Sequence, residues 1–212
     1  MRKKYNQIGR SMVEMLGVLA IIGVLSVGGI TGYSKAMEKY KLNKQTEQLS
    51  HLYDVFIRYK AEWKFDEQHV QIVPYFKKMG EIPEEMIVEN DDTILYDAFG
   101  NEVYIVTNNC TPICKTVLIS VRLSKVRNFE ICHNIVNLAK QYSDTVHSLY
   151  VGKHTADSAS EQFGIRWYGN KYCGGANQTC LKDVDNDTIA EMCEFCTDST
   201  ICRFRFEAYI DD

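Results

Sequence analysis

Two hydrophobic patterns follow one another in the first third of the chain without a break signal between them. From Met15 to Ser34, twenty consecutive residues carry no charge and most are apolar. At about 1.5 Å per residue, a helix of that length covers about 30 Å, the hydrocarbon thickness of a bilayer. The pattern then becomes periodic. Leu42, Leu49, Phe56 and Trp63 recur at every seventh position, with Leu52 and Tyr59 at the complementary heptad place. Lys41, Lys44, Glu47, Asp54 and Arg58 occupy other faces, and Gln45 interrupts the stripe. This predicts an amphipathic helix over residues 34–64. The repeat lasts barely three heptads, so the apolar side is expected to lie against a globular domain and not to form a coiled coil.

From Phe65 onward the pattern predicts a small α+β domain. Gly100-Asn101 supplies turn chemistry. Val103–Thr107 and Thr116–Leu123 are β-rich and flank a loop holding Cys110, Pro112 and Cys114, which predicts a hairpin. Ser124 is placed to cap a helix through about Tyr142, with Val126, Phe129, Ile135, Val136 and Leu138 on its apolar side. The clearest strand is the last. Cys202, Phe204, Phe206, Ala208 and Ile210 share one face, while Arg203, Arg205, Glu207 and Tyr209 share the other. An antiparallel sheet packed on the long helix gives both apolar stripes a place to bury.

The 212 residues have a formal charge of −4, which argues against nucleic acid as a partner. All eight cysteines, Cys110, Cys114, Cys132, Cys173, Cys180, Cys193, Cys196 and Cys202, lie in the second half of the chain. An even number crowded together reads as a disulfide framework formed in an oxidising compartment. Zinc is the rival, because Cys193-x-x-Cys196 has ligand spacing, but Cys173 and Cys180 are too far apart to complete the usual pair. Two local pairings are expected: Cys110 with Cys114, and Cys202 with Cys193 or Cys196. Cys173 and Cys180 bracket a loop that a bridge would close.

Arg2, Lys3, Lys4 and Arg10 precede the apolar run, so the positive-inside rule keeps the N-terminus in the cytoplasm and sends the cysteines across. A cleaved signal peptide with Ser34-Lys35-Ala36 as its site has too long an apolar core here. A plain anchor accounts for the length but not for Glu14, since an ionisable residue entering the bilayer is costly and marks function.

Gly9, then Arg10-Ser11-Met12-Val13-Glu14, then some twenty apolar residues, resembles the N-terminus of type IV pilins and type II secretion pseudopilins. The resemblance covers about 25 residues, and the short stretch Asp97-Ala98-Phe99-Gly100-Asn101 adds a weaker likeness to one found before a strand in many pseudopilins. It implies that prepilin peptidase cuts between Gly9 and Arg10 and that the new N-terminal residue is methylated. It implies that Glu14 pairs with the terminal amine of a neighbouring subunit during filament assembly. Two departures stand out: the first mature residue is Arg10, where the family usually has Phe or Met, and Thr31 occupies the place of a common mid-helix proline. Gly28, Gly29 and Gly32 are placed to loosen the helix there instead.

The implied organisation is a cytoplasmic leader (1–9), a transmembrane or filament-core helix (10–33), its amphipathic continuation (34–64) and a globular α+β domain (65–212). The implied role is a structural subunit of a type IV pilus or secretion pseudopilus, resident in the bacterial inner membrane with a periplasmic domain before assembly into the filament. Its partners would be other pilin subunits, prepilin peptidase and an inner-membrane assembly platform. Removing the leader takes away Arg2, Lys3 and Lys4 and no acid, moving the formal charge from −4 to −7. The alternative is a single-pass anchored periplasmic binding domain that does not polymerise.

The remaining chemistry is thin, and neither an enzyme nor a cofactor is expected. Asp183-x-Asp185-x-Asp187, with Glu194 twelfth, mimics a calcium loop, but Thr188 stands where the sharp turn needs glycine. The bland reading is a solvated turn in which Asp187 caps a helix over Ile189 to Phe195. His51, His69, His133, His147 and His154 are scattered without ligand spacing, and Cys132 and His133 point apart on a helix.

Overall fold

The apolar run and the heptad stripe form one continuous helix, α1, over Met12–Tyr59, followed by a single 3-10 turn at Lys60–Glu62. The computed structural model describes residues 12–62, 69–110, 114–123, 128–155, 163–197 and 200–210. Trp63, the last member of the heptad stripe, lies outside them, as do Pro112, Ser124 and Val126. The helix ends some five residues earlier than the stripe suggests. Gly28, Gly29 and Gly32 do not interrupt it; the α-helix runs through all three.

The chain divides into two compact units whose boundary falls inside α1, between Lys41 and Leu42. In the first unit every described residue from Glu14 to Ala36 is exposed. Ser26, Thr31 and Ser34 each turn the hydroxyl back onto a carbonyl four residues earlier: Ile22 at 2.7 Å, Val27 at 2.9 Å and Ile30 at 3.0 Å. In lipid this satisfies the three hydroxyls within the helix itself.

The second unit, residues 42–210, is an α+β body around a seven-stranded sheet. After α1 come α2 (Val73–Met79), β1 (Ile87–Val88), β2 (Asp91–Tyr96), β3 (Glu102–Cys110) and β4 (Cys114–Leu123). Then follow α3 (Asn128–Gln141), β5 (Ser148–Thr155), β6 (Phe163–Tyr168), α4 (Asn186–Glu194) and β7 (Thr200–Tyr209). The strand order is β1-β2-β3-β4-β7-β5-β6 and every pairing is antiparallel. The expected hairpin is β3–β4, longer than its β-rich cores, and the last strand inserts between β4 and β5.

One face of the sheet carries Val103, Ile105, Val117, Ile119, Val121, Cys202, Phe204, Phe206 and Ala208, all buried. These join Leu49, Leu52, Tyr53 and Phe56 of α1 and Ile131, Ile135, Val136 and Leu138 of α3 in one core. That mutual burial holds the stretch of α1 beyond Lys41 against the sheet. Phe129, expected on the apolar side of α3, is instead 39% exposed. The buried side of α3 is made by Ile131, Cys132, Ile135, Val136, Leu138 and Ala139, one helical stripe that leaves Phe129 at the exposed N-terminal end.

Candidate functional site

Among the described residues, three places carry chemistry. The first is the start of α1. Gly9 and Arg10 lie outside the described residues. Glu14 occupies the first turn of the helix and is exposed. A carboxylate there suits the helix dipole, whose partial positive charge sits at the N-terminus. Beyond it, α1 is long and apolar enough to cross a membrane.

The second place is where the turn after β2 meets α1. Asp97, 5% exposed, is the hub. Its Oδ1 accepts from the backbone N–H of Phe99 at 2.9 Å and of Asn101 at 2.8 Å; its Oδ2 accepts from Asn101 Nδ2 at 3.1 Å. Gln45 Nε2 donates to the same Oδ2, and Gln48 Oε1 accepts from the Ala98 N–H at 2.9 Å. Gly100 closes the turn with φ 75°, a left-handed conformation that suits glycine. From α3, Asn134 Nδ2 donates to Gln45 Oε1 at 3.3 Å and to Thr46 Oγ1 at 3.0 Å. The glutamine that breaks the heptad stripe is thus a fully buried clamp between helix and turn, an assignment the pattern alone could not make. Its one signal was a polar residue at an otherwise apolar stripe position.

The disulfides staple the C-terminal elements to the core. Cys132 bonds Cys193, joining α3 to α4; Cys196 bonds Cys202, joining the end of α4 to β7; Cys173 bonds Cys180. Of the two partners expected for Cys202 it takes Cys196, because Cys193 lies on the buried side of α4 facing α3. The β3–β4 register sets the Cα of Cys110 opposite that of Cys114. The bond expected between them lies outside the described side chains.

The acidic loop also differs from expectation. The helix cap is Asp185, not Asp187: its Oδ1 accepts from the Thr188 N–H at 2.7 Å, and α4 starts at Asn186. That hydrogen bond holds the Asp185 carboxyl below the usual carboxylate range. With Asp185 turned onto the helix, Asp183, Asp185 and Asp187 do not converge. Among the described residues no group of His, Cys, Asp and Glu is arranged to hold a metal ion.

The third place was not legible in the sequence. On the sheet face away from α1, Glu207 of β7 is buried at the floor of a polar groove of about 390 Å³. Its Oε2 accepts from Ser148 Oγ at 2.7 Å and from Arg166 Nη1 of β6, which also reaches Ser148. His147 Nδ1 stands 3.4 Å away, and His147, Arg166 and Ser148 all favour the ionised carboxylate. Burial by itself would raise the Glu207 pKa; the groups aimed at it outweigh burial and hold it at about 2.

No protein-family model, curated protein or solved structure matches the chain. Its class therefore rests on its own geometry: an α+β protein with one long apolar N-terminal helix and a disulfide-stapled antiparallel sheet domain.

Proposed function

We propose that the chain is a pilin-like structural subunit of a type IV pilus or type II secretion pseudopilus. In this reading it is processed by prepilin peptidase between Gly9 and Arg10 and polymerised through its N-terminal helix. The observation that carries the reading is the union of Glu14 with the exposed apolar stretch behind it in one unbroken helix. A helix that is apolar all round must be buried by lipid or by other helices. A carboxylate at its mouth is costly in lipid and becomes tolerable when a neighbouring ammonium pairs with it. Polymerisation supplies both conditions, since packed helices bury one another and bring each Glu14 to a neighbour's N-terminus. The bacterial inner membrane and a periplasmic domain follow from the same reading, which the described disulfides support because they need an oxidising compartment. Intact-mass measurement on protein from the native host tests it: loss of residues 1–9 with one added methyl is expected. A mature chain beginning at Met37 would establish a cleaved signal peptide and overturn the proposal.

A further inference from the structure

The groove above Glu207 lies on the sheet face turned away from α1, yet its floor is buried. Leu118, Ser120 and Glu207 project from that face and are each only 7% exposed. The strand register sets them side by side. Ser120 of β4 stands opposite Tyr104 of β3, and Leu118 stands between Val106 of β3 and Glu207 of β7. Val106 and Leu118 thus form an apolar step. Around it Tyr104, Asn108, Ser120 and Glu207 set hydroxyl, amide and carboxylate groups.

Two of these polar groups have no partner among the described residues. The Ser120 hydroxyl and the Asn108 side-chain amide both border the groove without a hydrogen bond from the fold. A buried hydroxyl left unpaired is costly, so such a group marks a place where another molecule can supply the partner. The charged groups, by contrast, are already committed. Glu207 is engaged by Ser148 and Arg166, and the guanidinium carbons of Arg166 and Arg205 each lie 5.1 Å from the Tyr150 ring centroid. Arg203 has partners of its own. An incoming anion would meet the ionised Glu207 at the floor, whereas a neutral molecule meets no such repulsion.

We propose that this groove is a binding site for a neutral pyranose sugar. A pyranose presents apolar C–H patches edged by hydroxyl groups, each of which both donates and accepts. Val106 and Leu118 suit the patch. Ser120 and Asn108 each offer a donor and an acceptor to the hydroxyl groups, and the Glu207 carboxylate accepts. The volume, about 390 Å³, is at the small end of ligand pockets, which favours a compact molecule. The site belongs to the sheet unit and does not depend on whether the chain forms filaments.

Calorimetric titration of the full-length chain, in a detergent without a sugar headgroup, tests this with glucose, galactose, mannose and N-acetylglucosamine as probes. Glycerol is the acyclic control and inorganic phosphate the anionic one. Saturable binding of at least one pyranose is expected, unchanged as sodium chloride is raised because the ligand carries no charge. Ser120→Val nearly keeps the side chain's size and suits a strand while removing the hydroxyl. It should weaken that binding by about threefold to tenfold. Asn108→Ala should do the same, whereas Lys182→Gln, an exposed charge on another element, should not. Thermal melts accompany each variant, and Ser120→Ala replaces a valine variant that has lost its cooperative transition. The proposal is overturned if no pyranose binds saturably, or if glycerol or phosphate binds as tightly as the best pyranose. It is equally overturned if the folded Ser120 and Asn108 variants both keep the native affinity.

Discussion

Gln45 on helix α1 donates its side-chain amide to the Asp97 carboxylate, fifty-two residues further along the chain, and both are buried. Leucine at this place would complete the apolar stripe of α1, yet the fold uses an amide. The hydrogen bond ties the helix to the turn from which β3 starts.

Gln45→Leu is therefore expected to destabilise the protein although it makes the stripe more regular. It removes a donor to a buried carboxylate and an acceptor for Asn134, a loss of about 2–3 kcal/mol. Chemical denaturation of the detergent-solubilised chain checks the sign. An unchanged or raised midpoint would show that the clamp does not stabilise the fold.

Glu14→Ala separates assembly from folding. Under the proposed function, membrane levels of the variant should stay near those of the native chain while the subunit disappears from sheared filament fractions, read by immunoblot. Undiminished incorporation would show that this carboxylate has no part in subunit pairing.

The disulfides should differ in what they contribute. Cys132–Cys193 spans 61 residues, whereas Cys196–Cys202 spans 6. On the chain-entropy account, losing the first costs about 4 kcal/mol and the second about 2. Paired Cys→Ser variants melted side by side test the order; equal losses would point to an enthalpic origin. Peptide mapping without reductant should recover both pairs and Cys173–Cys180.

Glu207 gives the sheet unit an acid-sensitive term. Its folded pKa, about 2, lies below its ordinary value of 4.5. A depressed carboxylate stabilises the fold above the ordinary value, and that stability is lost as pH falls from 4.5 towards 2. The amount at stake is about 3 kcal/mol, shared with the His147, Arg166 and Ser148 contacts. Denaturation midpoints followed through this range should fall for the native chain and fall less for Glu207→Gln. Parallel curves would place the acid sensitivity elsewhere.

Local pattern was enough, by itself, for α1, the β3–β4 hairpin and β7. Each has an apolar period longer than one turn or several alternations, and such a period admits one burial geometry. The same reasoning placed Cys202 on the buried side of β7 and limited its partner to two neighbours. Only the tertiary structure decided the rest. The two-residue β1, the edge strand β6 and the short α2 carry too few periods to be distinguished from loops, and they are stabilised by their neighbours. Cys132–Cys193 joins helices distant in sequence, and no spacing rule encodes that distance. The cap moved from Asp187 to Asp185 because the chain entering α4 presents one carboxylate to the free N–H groups of the first turn. Gln45 and Glu207 share one reason for being illegible. A buried polar group is defined by the partners that satisfy it, and here those partners come from strands and turns that only the folded chain brings together.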